Sequence, residues 1–145
     1  MNIHVNSEHY REMGSIARTL HTRNDARFAG SGLQKGQFVF LTRLCENPGS
    51  GVVRLARLAR VDQTTATKAV QKLETAGYLL RRPDPEDGRS QRLVPTEKAR
   101  DAWADIVAAE NADLEEGLAG FSSEERRQFL DFLLRARKNL DGELP

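Results

Sequence analysis

The sequence predicts an all-α fold carrying one small β-hairpin, and three observations lead there. Apolar residues recur at three- and four-residue spacings over most of the 145 residues, the period of amphipathic helices. Val52–Leu79 reads as two short helices joined by a tight turn. Arg82–Arg89, with two prolines, three acids and an Asp-Gly pair, interrupts the helical pattern as a protruding hairpin turn.

Taken in order, a first helix is expected around His9 to Phe28, with Tyr10, Met13, Ile16, Ala17 and Leu20 as its apolar stripe. Ala29-Gly30-Ser31-Gly32 ends it. A second follows near Gln34–Glu46, with Phe38, Leu41, Leu44 and Cys45 on one face, and Asn47-Pro48-Gly49 stops it. In the next pair, Leu55, Ala56 and Ala59 face inward from the first helix. Asp62 is placed to cap the second, because its carboxylate accepts from otherwise unpaired first-turn amides. Gly77 ends that helix by supplying a left-handed backbone.

Tyr78-Leu79-Leu80 starts a strand and Gln91–Val94 returns as its partner. Thr96 caps a long helix running to about Gly117, with Ala99, Trp103, Ile106, Val107, Leu114 and Leu118 as apolar positions. Ser122 and Glu125 have the spacing of a capping box and open a last helix carrying Phe129, Leu130, Leu133 and Leu134. The tail from Asn139 is expected to fray. The length suits one domain.

A net charge of +1 conceals a segregation of sign. Val52–Arg92 carries nine Lys/Arg against five Asp/Glu, a balance of +4, whereas Leu93–Asp131 carries four against ten, a balance of −6. The middle of the chain therefore suits a polyanion and the following segment repels one.

Within the basic segment, the helix Gln63–Ala76 places small residues, Ala66 and Ala69, with Val70 and Leu73 on its inward stripe. Small inward residues let a helix-turn-helix pair cross closely. The outward face then holds Gln63, Thr64, Thr65, Thr67, Lys68, Gln71 and Lys72, with no acid among them. Hydroxyl and amide side chains hydrogen-bond base edges, and lysines suit phosphates. An ordinary solvated helix would mix in acids, and Glu74 appears only near the end. At the hairpin, Asp87-Gly88-Arg89 offers a guanidinium to the minor groove, with Asp87 placed to orient Arg89 through a charge-assisted hydrogen bond. Alone, such a turn is equally a surface ion pair; directly after a helix-turn-helix it reads as a wing.

The order of these elements resembles the multiple-antibiotic-resistance-regulator (MarR) family. LQKGQFVFLTRLCENPG, VRLARLARVDQTTATKAVQKLETAGYLLRR and PDPEDGRSQRLVPTEKAR carry the resemblance, the last most specifically through the Asp-x-Arg of Asp87-Gly88-Arg89 and the Leu-Val-x-Thr that follows. It extends from about Tyr10 to Leu140. The fold it implies is a winged helix-turn-helix lobe at about 33–95 within an intertwined helical homodimer joined through helices at about 8–28 and 96–140. Thr64, Thr65, Thr67 and Lys68 would face the major groove of double-stranded DNA and Arg89 would enter the minor groove. A pseudo-palindromic operator, usually repressed, and release by a small, often phenolic acid follow from the same resemblance. Arg18 or His21 on the first helix would then meet the effector's carboxylate. Two departures stand out: Arg60 occupies a turn position often held by glycine, which would loosen the turn, and Ala99 replaces a glycine within a helix. Independently of the family, Phe129, Phe132, Leu133 and Leu134 are too many for one narrow stripe and call for burial on a second side.

Other chemistries find little support. There is no clustered nucleophile–base set, glycine-rich phosphate loop or metal motif, so no enzyme, cofactor or metal is expected. His4, His9 and His21 lack close ligand partners. Cys45, the one cysteine, falls on an apolar stripe and reads as a core residue, not a redox sensor. Without a secretory leader or a span of about 18 apolar residues, a cytoplasmic protein is expected, with no membrane partner. The competing reading is a winged-helix module that binds another protein without reading DNA.

Overall fold

The computed structural model describes residues 7–34 and 36–141. His4 and the last four residues of the tail lie outside them. Among the described residues the chain forms α1 (Ser7–Arg27), α2 (Gln37–Glu46), α3 (Val52–Ala59), α4 (Gln63–Thr75), β1 (Leu79–Pro83), β2 (Gln91–Pro95), α5 (Glu97–Gly117) and α6 (Ser123–Asp141). No helix among them is long and apolar enough to cross a membrane. The chain divides into two compact units, Met1–Val107 and Ala108–Pro145, with α5 beginning in the first and ending in the second.

In the first unit α2 packs on α3, α4 and β2, and α3 crosses α4. Leu41 and Leu44 of α2, Leu55 of α3, Val70 and Leu73 of α4, Leu79 of β1, Leu93 of β2 and Ile106 of α5 are fully buried. Each such side chain contributes about 1.5–3 kcal/mol by leaving water. Ala66 and Ala69 are buried between them; their methyl groups keep the α3–α4 crossing close. β1 and β2 pair antiparallel with Leu79 opposite Pro95 and Pro83 opposite Gln91. The segment before α3 joins the far edge of β2, where Gly49 donates to Leu93 O and Leu93 donates to Ser50 O, both at 2.9 Å.

Several boundaries depart from the sequence reading. α2 starts three residues later than expected, because Gly36 takes a left-handed backbone and Gln34 N–H is bonded by the Gln37 side chain at 2.9 Å. β1 starts at Leu79: the side chain of Tyr78 is drawn inward, where its hydroxyl donates to Ser31 O. Arg60 does not loosen the helix-turn-helix. It adopts the left-handed conformation itself (φ 61°), and Val61 N–H returns to Ala56 O at 3.0 Å, closing the α3 terminus as a glycine would.

In the second unit, the capping box is present, with Ser122 N–H on Glu125 Oε1 at 2.9 Å and Glu125 N–H on Ser122 Oγ at 3.1 Å. Arg126 reaches back to Glu115 at 2.8 Å and to Leu118 O at 3.3 Å, fixing the turn. Asn139–Asp141 continue α6 instead of fraying. Leu114, one of the apolar positions of α5, is half exposed.

Candidate nucleic-acid interface

The exposed side of α4 begins at its cap. Asp62 Oδ1 accepts from Thr65 N–H at 2.8 Å and Asp62 Oδ2 accepts from the Thr65 hydroxyl at 2.8 Å. These bonds, the backbone one foremost, hold the Asp62 carboxyl below the ordinary carboxylate range. The Thr65 hydroxyl proton is therefore spent on the cap. Thr67 is half-buried and donates to Gln63 O at 2.8 Å, the usual back-bonding of a helical threonine. Both hydroxyls retain lone pairs, so towards a ligand they are acceptors only.

Gln63, Thr64, Lys68, Gln71 and Lys72 are exposed, and their side chains make no hydrogen bond or ion pair among the described residues. The five therefore present amide, hydroxyl and ammonium groups, with no anion interposed. Glu74, the acid of this helix, is drawn to the hairpin, where Arg81 Nε bonds it at 3.1 Å.

At the hairpin tip, Asp87 bonds the backbone of Arg89 and not its guanidinium. Its Oδ1 accepts the backbone N–H of Arg89 at 3.0 Å and its Oδ2 accepts from the Ser90 hydroxyl at 3.0 Å. Asp87 thus sets the backbone at Arg89 by an Asx turn and leaves the guanidinium exposed and unpartnered among the described residues. A second such turn lies at Asp84, which accepts from Glu86 N–H at 3.0 Å and meets Arg92 at 3.2 Å. The Glu86 bond first, and then Arg92, lower the Asp84 pKa.

The carboxyl end of α4 is held by the start of α5. Lys98 Nζ donates to Ala76 O at 2.6 Å, and Thr96 Oγ1 donates to Gly77 O at 2.7 Å while accepting from Ala99 N–H at 3.2 Å. Gly77 makes this possible with φ 84°. Ala99, one of the two departures from the family pattern, is fully buried against the core.

Arg18 and His21 lie one turn apart on α1 and are exposed, with no side-chain partner among the described residues. Buried polar atoms without a partner occur instead at Asn24 Oδ1 on α1, Thr42 Oγ1 on α2 and Trp103 Nε1 on α5. The sequence reading missed these, since Thr42 and Trp103 look like ordinary helix residues. It also passed over Arg54, Arg57 and Arg82, exposed cations that entered the charge balance without falling in a motif. Cys45 is partly buried, its Sγ 3.8 Å from Ala99 O, and burial pushes its thiol up to about 11 against the opposing pull of Arg100. Among the described residues no three His, Cys, Asp or Glu side chains gather as a metal site.

Known proteins share this architecture. The MarR family model matches residues 33–91. A relative from Bacillus subtilis (strain 168), named an uncharacterized HTH-type transcriptional regulator YybA, is 37% identical over 133 residues, 92% of this chain and 89% of its own. A MarR protein from Peptoclostridium difficile DA00132 superposes with a TM-score of 0.88 at 39% identity, covering 97% of this chain and 92% of that one. A putative MarR family transcriptional regulator from Listeria monocytogenes, solved with a 26mer DNA, superposes at 0.85 with 29% identity, over 97% and 90% of the two chains. An acid-free helix face, a hairpin with an ordered Asp-x-Arg tip and relatives alike over nine-tenths of the chain lead to one assignment: this protein belongs to the MarR family of transcriptional regulators.

Proposed function

We propose that the chain binds a pseudo-palindromic operator in double-stranded DNA as a homodimer and acts as a repressor in the cytoplasm. The lobe at about 33–95 reads DNA and the helices at about 8–28 and 96–140 join the protomers. α4 lies in the major groove, where Gln63, Thr64, Lys68 and Gln71 meet base edges and Lys72 meets a phosphate. Thr65 and Thr67 serve as acceptors. Arg89 enters the minor groove from the hairpin tip. The observation that carries this reading is the set Gln63, Thr64, Lys68, Gln71 and Lys72, exposed, free of acid and unpartnered among the described residues, on a helix whose two ends are both clamped. The DNA-bound relative supports it.

The homodimer is supported by apolar side chains left exposed on two helices. Tyr10, Met13, Ile16 and Leu20 lie open on α1, and Leu130, Phe132, Leu133 and Leu134 on α6, with Phe132 58% exposed. Water contact of this extent is costly for a lone chain, and a two-fold interface would place two copies of α4 about one DNA turn apart. Release by a small acidic effector is the remaining element. Arg18 and His21 are accessible to its carboxylate, and Thr42 and Trp103 hold buried donors without acceptors.

Fluorescence anisotropy of the protein on its own upstream intergenic DNA, against a scrambled duplex and over a salt series, tests the reading. Preference for the intergenic duplex by about 10³-fold or more, falling steeply with salt, is the expected result. Equal affinity for both duplexes by a folded dimer favours the protein-binding module instead.

A further inference from the structure

A cleft of about 420 Å³ opens in the first unit between α3 and the base of the hairpin. Its lining includes Arg54 and Arg57 from α3, Asp84, Gln91 and Arg92 from the hairpin, and Val53 as an apolar wall. Three guanidinium groups against one carboxylate leave the cleft at +2. Arg57 has no side-chain partner among the described residues, and Arg54 reaches only Asn47 Oδ1, at 3.4 Å. Arg92 is shared with Asp84 at 3.2 Å, which neutralises the acid and keeps that arginine in place.

A surface of merely solvated cations would spread such groups apart or pair them, as Arg43 and Glu46 are paired on α2 at 2.8 Å. Here the charges come from two elements that the fold brings together, Arg54 and Arg57 lying 35 or more residues before Arg92 in the chain. α3 also begins at this cleft on Gly51, with no side-chain cap and no acid in its first turn. Planar guanidiniums contributed to one cleft by two elements suit an oxyanion with several accepting oxygens, and a phosphate above all. The cleft is continuous with the hairpin whose tip carries Arg89.

We propose that this cleft seats a phosphodiester of the DNA backbone, held by Arg57, Arg54 and Arg92, so that the DNA footprint extends from α4 across α3 to the base of the wing. The inference rests on the DNA-binding reading above. The seat grips the backbone and reads no base, so it fixes how α4 enters the groove without adding sequence preference of its own.

The test is the double variant Arg54→Gln, Arg57→Gln, both positions exposed and outside the core, with Arg100→Gln, Arg137→Gln as a control pair that removes the same two charges from exposed positions on α5 and α6. Affinity is measured on intergenic and scrambled duplexes over a salt series. The seat requires the double variant to weaken on both duplexes by the same factor. The slope of log affinity against log salt should fall by about 2, one contact in each protomer, while the control pair leaves the slope alone. An unchanged slope in the double variant, with the parent still preferring intergenic DNA, overturns the seat and spares the DNA-binding reading. A fall equal to that of the control also overturns it, as general charge loss. A parent with no sequence preference removes both. A free anion is separated by titrating inorganic phosphate into DNA-free protein at constant ionic strength, following the Arg Nε–H resonances. Saturation at or below low millimolar phosphate, with the variant's salt slope unchanged, assigns the cleft to a soluble ligand and rejects the backbone seat.

Discussion

Lys98 lies over the ring of Tyr78, its Nζ 4.4 Å from the ring centroid, while the same ammonium donates to Ala76 O at 2.6 Å. One side chain from the first turn of α5 therefore caps the carboxyl end of α4 and covers the residue that turns the chain into the hairpin. Cation–π attraction of about 0.5–1 kcal/mol and a cation at a helix C-terminus, worth about 0.3–1 kcal/mol, act together there. Lys98→Met should lower stability by about 1 kcal/mol in chemical denaturation and speed amide exchange in the last turn of α4. Unchanged exchange at Thr75–Gly77 would show that the clamp does not hold that end.

Lys72→Glu combined with Arg89→Ala removes one contact from each half of the proposed DNA surface. Binding to the intergenic duplex is expected to drop by about 10²-fold or more, with dimer mass and thermal stability retained, since both side chains are exposed and unpartnered. Equal affinity of parent and variant in anisotropy would move the reading surface elsewhere.

Arg60 supplies a left-handed residue (φ 61°, ψ 44°) where a side chain is disfavoured. Arg60→Gly should raise stability by about 0.5–1 kcal/mol, the relief of that conformation less the extra freedom glycine gains in the unfolded chain. Urea denaturation of parent and variant decides it, and a destabilised variant would mean that the interactions of the Arg60 side chain outweigh the strain.

Leu133→Asp places a charge in the exposed apolar face of α6, where Leu133 is 42% exposed. Light scattering should report a monomer that keeps its helical content. Affinity for a two-half-site duplex should fall by about 10²–10⁴-fold as the second lobe is no longer tethered. A dimer that persists would put the protomer contact away from this face.

Cys45 should behave as a buried thiol. Burial raises its pKa from 9.0 to about 11, so at pH 8 the native thiolate is about 100-fold rarer than in the unfolded chain. Iodoacetamide should label native protein at least that much more slowly than protein in denaturant. A raised thiol pKa means the fold prefers the protonated form. Its contribution to stability is complete below pH 9 and is lost as pH rises through about 11. Native labelling as fast as denatured labelling would mean that the fold does not shield the Cys45 thiol.

Much of this was legible in the residues alone. Ala66, Ala69, Val70 and Leu73 declared the inward stripe of α4 because a helix repeats every 3.6 residues, and all four are buried. Asp62, Thr96 and the Ser122–Glu125 pair announced helix starts because a cap is a bond between near neighbours in sequence. Local chemistry is encoded locally.

What the sequence by itself determined, then, is the order of elements, the inward faces and the acid-free outer face of α4. Only the tertiary structure decided which polar groups on those faces are already spent. It commits the Thr65 hydroxyl to Asp62 and turns Asp87 onto the Arg89 backbone; it draws Glu74 to Arg81 and brings Arg57 within one cleft with Arg92. The reason is physical: a hydrogen bond or ion pair depends on angles and distances of a few ångströms. Periodicity shows which side of a helix is wet, but not which neighbour a distant part of the chain will bring to it.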